Sequence, residues 1–157
     1  MTKEDTIARL NELIQVCRDG EYGYRTAAEH VRNSQLRTIF EECAKQREGC
    51  ARRLRAEVER LGGTPTDSGT LAGAMYRGWI DLKSTVSGGD AGAIVAACET
   101  GEESALAAFE GAADYTDVTG ETRSLVEKQW HVIQEAQQRM LRLREEIAAG
   151  AQYPDTE

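Results

Sequence analysis

Four polar residues, each set in an otherwise apolar helical face, are the side chains in this sequence best placed to do chemistry. They are Glu21, Arg47, Glu102 and Gln129. A buried polar group is costly unless it is paired, and helix bundles build their ligand sites from side chains that project into the core. The pattern therefore predicts a central polar cluster to which each of four helices contributes one residue.

The register of the predicted helices indicates how these residues pair. If the first turn centres near Ser34, Glu21 lies level with Arg47, and about the second turn Glu102 lies close to Gln129. We therefore expect an ion pair between Glu21 and Arg47, with Glu102 approaching Gln129. In this interpretation the cluster holds no metal and fixes the register of the helices.

A carboxylate site for two metal ions, iron or manganese, is the main alternative. Its candidate ligands are Glu21, Glu99, Glu102 and Glu103. Such sites also take a Glu-x-x-His motif from each of two further helices. The second helix has no histidine, and Glu127 and His131 of the fourth are four residues apart, on a face that reads as solvated. Arg47 also places a positive charge in the predicted core, where a metal ion would have to bind. We therefore favour the interpretation in which the cluster holds no metal.

Apolar residues at helical spacing define the elements that position these side chains. The predicted long helices are Lys3–Arg32, Leu36–Leu61, Asp90–Tyr115 and Glu121–Ala149, and a shorter helix spans Leu71–Val86. Short turns make each pair of long helices antiparallel, and the long link between the pairs allows the third to start at the far end. The sequence thus predicts an all-α, ferritin-like up-down four-helix bundle with a short extra helix in the crossover between helices 2 and 3. One domain would span residues 1–150, followed by a frayed tail, 151–157.

Two aromatic residues of the crossover segment, Tyr76 and Trp79, form a candidate interaction surface. If both rings are exposed, the segment docks a protein partner or a second copy of the chain. If they pack against the bundle, they belong to the core. A protein-interaction module is therefore a third interpretation of the chain.

Charge limits the classes of partner. The chain carries 27 acidic and 19 basic residues, which give a net charge of -8. An acidic protein repels phosphate backbones and anionic membranes, so neither nucleic acid nor a membrane is expected as a partner. No apolar run approaches the length of a membrane span. The start of the sequence, MTKEDTIARL, lacks the apolar centre of a signal peptide, so we expect a cytoplasmic protein.

The four cysteines, Cys17, Cys43, Cys50 and Cys98, all fall on apolar faces. None belongs to a Cys-x-x-Cys pair, so a zinc site is not expected. Free cysteines commonly act as small buried hydrophobes. Cys17 and Cys50 could face each other across the first hairpin, but a reducing compartment disfavours a disulfide there.

Three runs of the sequence carry a resemblance to a known family. The runs DGEYGYRTAAEHV, VERLGGTPTDSGTLAGAMYRGWIDLKS and ACETGEES resemble the bacterial DUF2383 family of four-helix-bundle proteins, also called the PA2169 family. The resemblance implies a ferritin-like bundle without an established enzyme activity. The chain departs from the family at Gln137 and Gln138, where many relatives carry His-Asp, and this weakens the enzyme interpretation. We therefore expect a non-enzymatic protein without a cofactor and with a structural or stress-related role. The sequence is also compatible with a homodimer.

Overall fold

Four long α-helices make up most of the chain. The structure is a computed structural model that describes residues 2–66, 79, 88–113 and 120–156. The helices are α1 (Lys3–His30), α2 (Ser34–Arg60), α3 (Ala91–Ala113) and α4 (Gly120–Ala148). The described residues include no strand. The predicted all-α four-helix fold is confirmed, whereas the predicted crossover helix lies outside the described residues except for Trp79.

Local sequence signals set the ends of the first two helices. Thr2 caps α1 in a reciprocal capping box, in which its hydroxyl accepts from the backbone of Asp5 and the Asp5 carboxylate accepts from the backbone of Thr2. Asn33 caps α2 by accepting a hydrogen bond from the backbone N–H of Leu36. After α2 the chain turns at Gly62, whose φ of 86° suits glycine at a helix C-terminus.

The core consists of two apolar clusters, one toward each end of the bundle. The first contains the end of α1, the start of α2, the start of α3 and the end of α4, and includes Tyr24, Phe40, Trp79 and Met140. The second contains the opposite halves of the same helices and includes Leu10, Leu54, Phe109 and Ile133. The helices therefore run up, down, down and up, so α2 ends and α3 begins at opposite ends of the bundle. This order is the predicted ferritin-like arrangement.

The boundary between the two clusters falls at the same level on three helices. Gly20 on α1, Arg47 on α2 and Glu102 on α3 each lie between the residues that their helix gives to one cluster and those that it gives to the other. A polar layer thus crosses the middle of the bundle, where the apolar stripes are interrupted.

The segment after α4 forms no regular structure, yet it contacts the turn between α1 and α2. The Asn33 side chain donates to the carbonyl of Pro154, and the backbone N–H of Thr156 donates to the carbonyl of Arg32. Tyr153 packs against the first apolar cluster. The predicted frayed tail is therefore tied to the bundle along residues 153–156. Among the described helices, none is long and apolar enough to cross a membrane.

Candidate functional site

Arg47 and Glu102 form a buried ion pair in the polar layer. The Nη2 atom of Arg47 lies 2.5 Å from Oε1 and 2.6 Å from Oε2 of Glu102. The two side chains are 1 % and 0 % exposed. Burial acts to lower the pKa of Arg47, but the charge and hydrogen bonds of Glu102, together with contributions from Tyr24 and Cys17, outweigh it and the pKa is raised. Arg47 is therefore a fixed cation bound to both oxygens of one carboxylate.

Tyr24 completes the coordination of this carboxylate from α1. Its phenol donates a hydrogen bond of 2.8 Å to Oε2 of Glu102. The guanidinium carbon of Arg47 lies 5.9 Å from the centre of the Tyr24 ring, which is within the range of a cation–π contact. Burial and then the Glu102 charge raise the pKa of Tyr24, so the phenol keeps its proton and acts as a donor. One side chain thus contacts both members of the ion pair.

Gly20 makes room for Arg47 on the facing surface of α1. A Cβ atom at this position would lie less than 3.0 Å from Nη1 of Arg47. Gly20 and Tyr24 are four residues apart and so share one face of α1. The side chain of Arg47 therefore lies across the glycine and reaches Glu102 beside the tyrosine.

The predicted pairing of Glu21 with Arg47 is wrong. Glu21 follows Gly20 and is turned by about 100° away from the face that meets Arg47. Its carboxylate instead pairs with Arg18 and Arg25 on its own helix, at 3.2 and 3.0 Å. Glu21 belongs to a surface charge network, and Arg47 takes its partner from α3.

Gln129 is buried as expected but does not join the ion pair. Its side chain is 2 % exposed, and its Nε2 atom donates to the backbone carbonyl of Cys50 at 3.1 Å. The amide thus ties α4 to α2. Within the described part of the chain, Oε1 of Gln129 and the Nε and Nη1 atoms of Arg47 have no hydrogen-bond partner. The structure therefore brings Arg47 and Glu102 together, with Gln129 attached separately.

The four candidate metal ligands do not converge. Glu21 lies on the surface of α1, Glu102 is bound by Arg47, and Glu103 is exposed. Glu99 is buried beside Arg144, 3.6 Å away, and burial followed by contact with Glu103 raises its pKa. No group of three histidine, cysteine or acidic side chains suited to a metal ion occurs among the described residues. The donor set does not fit a di-metal centre.

Trp79 is buried between two helices. A Cβ atom added at Gly23 of α1 or at Gly101 of α3 would lie less than 3.0 Å from its ring. The ring also meets Tyr24 edge-on, with centroids 5.2 Å apart, and the residue is only 4 % exposed. Trp79 is therefore part of the core and is not available to a partner, while Tyr76 lies outside the described residues.

Sequence patterns did not reveal several members of the site. The helical spacing places Tyr24 on an apolar stripe and gives no sign of its hydrogen bond to Glu102, and Gly20 and Gly23 give no sign of the space that they leave for Arg47 and Trp79. The runs that carry the family resemblance supply Gly20, Gly23 and Tyr24, then Trp79, then Gly101 and Glu102. These runs thus converge on one place in the bundle, a signal that the sequence contained without revealing the contacts.

A second polar contact, at the far end of the bundle, was also missed. Thr122 of α4 donates a hydrogen bond to the carboxylate of Glu57 on α2, and Arg60 binds the same carboxylate through two nitrogen atoms. The hydrogen bond from Arg60 is the main cause of a lowered pKa at Glu57. This contact links α2 to α4 below the second apolar cluster.

Comparisons with known proteins agree with this architecture. The fold is similar to the solved structure of a Dps1 mutant from Mycobacterium smegmatis, with a TM-score of 0.77 and 14 % sequence identity over 90 % of this chain and 96 % of that chain. At this identity the likeness bears on the fold alone. A comparison with curated proteins found no match. The family model described as "Domain of unknown function (DUF2383)" matches residues 5–114. The chain therefore belongs to the DUF2383 family and has a ferritin-like fold.

Proposed function

We propose that this protein is a non-enzymatic, cytoplasmic ferritin-like bundle with a structural or stress-related role and a metal-free polar core. The observation that carries the proposal is the ion pair itself. Both oxygens of Glu102 are engaged by Arg47, and one also accepts from Tyr24. A carboxylate in this state has little capacity left for a metal ion.

The charge of Arg47 also supports a polar core without a metal ion. The guanidinium of Arg47 is a permanent positive charge with very little solvent around it, and it lies at the centre of the bundle. A divalent cation bound by Glu102 would have to displace or repel it, at a separation where charges in a protein interior interact strongly. The position of the pair therefore supports a polar core without a metal ion.

The proposed role of the ion pair is to fix how the helices meet. A slip of α2 against α3 would separate Arg47 from Glu102 and leave two unpaired charges in the core, which is strongly destabilising. Tyr24 adds α1 to the same contact. The pair would thus select one packing of the helices among the many that their apolar faces would allow.

The partner class in this proposal is a second copy of the chain. Support comes from α3, whose alanine-rich sequence includes Ala93, Ala96, Ala97, Ala107 and Ala108, small side chains that permit another helix to approach closely. Ala107 is exposed on the monomer. Light scattering of the purified protein should give the mass of a dimer, and a monomer mass at all concentrations would remove this part of the proposal.

Metal loading tests the main proposal. Protein purified without chelator is incubated anaerobically with excess ferrous iron or manganese, desalted and analysed for metal. We expect far less than one metal ion per chain, with equal values for Glu102→Gln and for the exposed control Glu110→Gln. A stoichiometric metal content that Glu102→Gln abolishes and Glu110→Gln preserves would overturn the proposal and identify a metal-handling protein.

A further inference from the structure

Cys17 and Cys50 are two buried thiols on adjacent helices beside the polar layer. Cys17 lies on α1 and Cys50 on α2, and their exposed fractions are 0 % and 1 %. Gly20 of α1 lies directly against Arg47 of α2, and Cys17 and Cys50 each lie three residues from that contact, in the same apolar cluster. Because α1 and α2 are antiparallel, the two thiols lie level with each other on the facing sides of these helices, and both are free. A disulfide between adjacent helices requires this arrangement.

The two thiols differ in acidity. The hydrogen bond from Cys17, with smaller effects from the charges of Arg47 and Arg53, outweighs burial and the Glu102 charge and lowers the pKa of Cys50 to about 7. Burial and the same hydrogen bond raise the pKa of Cys17. Gln129, which faces the pair from α4 through the Cys50 carbonyl, is uncharged. The pair thus combines a more acidic thiol at Cys50 with a less acidic one at Cys17.

The other two cysteines provide an internal comparison. Cys43 and Cys98 are also buried, but burial raises the pKa of Cys43 to about 11 and that of Cys98 well above its ordinary value. The Glu102 charge acts in the same direction on both. Since the thiolate is the reactive form of cysteine, Cys43 and Cys98 should react with an oxidant much more slowly than Cys50.

We propose that Cys17 and Cys50 are an internal dithiol that a small hydroperoxide oxidises to a disulfide joining α1 to α2. The Cys50 thiolate attacks one peroxide oxygen, the O–O bond breaks, and Cys50 becomes a sulfenic acid while hydroxide leaves and takes up a proton. The Cys17 sulfur then attacks the Cys50 sulfur, the S–O bond breaks, and the Cys17 proton leaves with the oxygen as water. Two thiols and one hydrogen peroxide thus give one disulfide and two waters.

Burial defines the class of oxidant. Both sulfur atoms lie below the surface, so a bulky disulfide such as oxidised glutathione cannot reach them in the folded chain. Hydrogen peroxide is small and uncharged, so a brief local opening of the α1–α2 hairpin would be enough to admit it. The product is a covalent link between the two helices that hold Gly20 and Arg47, at the edge of the polar layer.

Peptide mapping of the folded, full-length protein tests the proposal. The protein is reduced, desalted, treated with hydrogen peroxide, blocked with an alkylating agent under denaturing conditions and digested without reductant. We expect a cross-linked peptide pair that contains Cys17 and Cys50, with Cys43 and Cys98 recovered as alkylated thiols. The intact protein should also unfold at a higher temperature than its reduced form, because the cross-link restricts the unfolded chain.

Single variants assign the two roles. Cys17→Ala should halt the reaction at a Cys50 sulfenic acid, which dimedone traps when the peroxide-treated protein is unfolded in its presence. Cys50→Ala, treated in the same way, should give no dimedone adduct at Cys17. The matched control Cys43→Ala should form the Cys17–Cys50 disulfide as the parent does. Circular dichroism confirms that each variant is folded. The proposal is overturned if folded parent protein keeps all four thiols reduced under peroxide, or if its first disulfide joins any other cysteines.

Discussion

The Nη2 atom of Arg47 lies within 2.6 Å of both carboxylate oxygens of Glu102, at the level where the two apolar clusters of the bundle meet. This pair stabilises the fold only when both partners are present, because removal of one leaves an unpaired charge in the core, where water cannot reach it. The polar layer therefore favours the packing in which α1, α2 and α3 meet at this level.

The hydrogen bond from Tyr24 should stabilise the carboxylate measurably. In Tyr24→Phe the ring contacts remain but Oε2 of Glu102 loses its phenol donor, so we expect the free energy of unfolding to fall by about 1.5–3 kcal/mol. The matched control is Tyr22→Phe, because Tyr22 is 43 % exposed and its change should be close to neutral. Urea denaturation followed by circular dichroism measures both. Equal values for the two variants would mean that the phenol contributes nothing to the ion pair.

The packing of Trp79 should require glycine at positions 23 and 101, because any side chain there would collide with the indole. Alanine normally improves a helix interior by about 1 kcal/mol, but Gly23→Ala and Gly101→Ala place a methyl group against the indole and should lower the melting temperature. Gly111→Ala is the control, since nothing lies within 4 Å of a Cβ there, and it should be neutral or stabilising.

The role of the indole can be separated from that of the glycines. Trp79→Ala in the Gly23→Ala background removes the clash, so the two changes together should cost less than the sum of their separate effects. Tryptophan fluorescence in a Trp130→Phe background reports on the Trp79 environment alone. Additive losses, with an unchanged emission spectrum in Gly23→Ala, would contradict the observed contact.

Glu57 should contribute stability that acid removes. Its pKa is lowered in the folded state, chiefly by the hydrogen bond from Arg60, so its contribution is complete above the ordinary value of 4.5 and is lost as the pH falls through the folded value. Glu57→Gln should therefore lower stability at pH 7, and the difference from the parent protein should shrink below pH 4.5. Glu59→Gln, an exposed change on the same helix, should show no such pH dependence. A difference that stays constant across the acidic range would refute the assignment.

The contribution of Glu99 to stability should depend on pH in the opposite direction to that of Glu57. Burial and its neighbour Glu103 raise its pKa in the folded state, so its contribution is complete below 4.5 and is lost as the pH rises through the folded value. Glu99→Gln should consequently stabilise the protein at neutral pH, and this gain should disappear in acid. The exposed carboxylate of Glu110 serves as the control, since Glu110→Gln should leave the pH profile flat. A loss of stability at pH 7 in Glu99→Gln would show that its contacts with Arg144 and Gln137 prevail.

Much of the fold could be predicted from the sequence, because the apolar stripes specify long helices and the link lengths specify their order. The burial of Arg47 and Glu102 was predictable for the same reason: each interrupts a stripe. Their pairing was not predictable, because a one-residue difference turns a helical side chain by about 100°. Register estimates from turn positions do not resolve that step, and so they assigned Arg47 to Glu21.

The remaining members of the site depend on contacts between distant parts of the chain. A tyrosine on an apolar stripe gives no sign of whether its hydroxyl meets a carboxylate, and a helical glycine gives no sign of what fills the space above it. The roles of Tyr24, Gly20 and Gly23 could therefore not be predicted from the sequence. Only the packing of α1 against α2, α3 and Trp79 reveals what they do.

A double-mutant cycle on Arg47 and Glu102 tests the central claim most directly. The free energy of unfolding is measured for the parent protein, Arg47→Met, Glu102→Gln and the double variant, with exposed Arg52→Ala as a control. We predict that each single change costs about 3–5 kcal/mol and that the double variant costs about 2 kcal/mol less than their sum, which is the coupling energy of the pair. Additive losses with a coupling energy near zero would contradict the claim that this pair holds the core together.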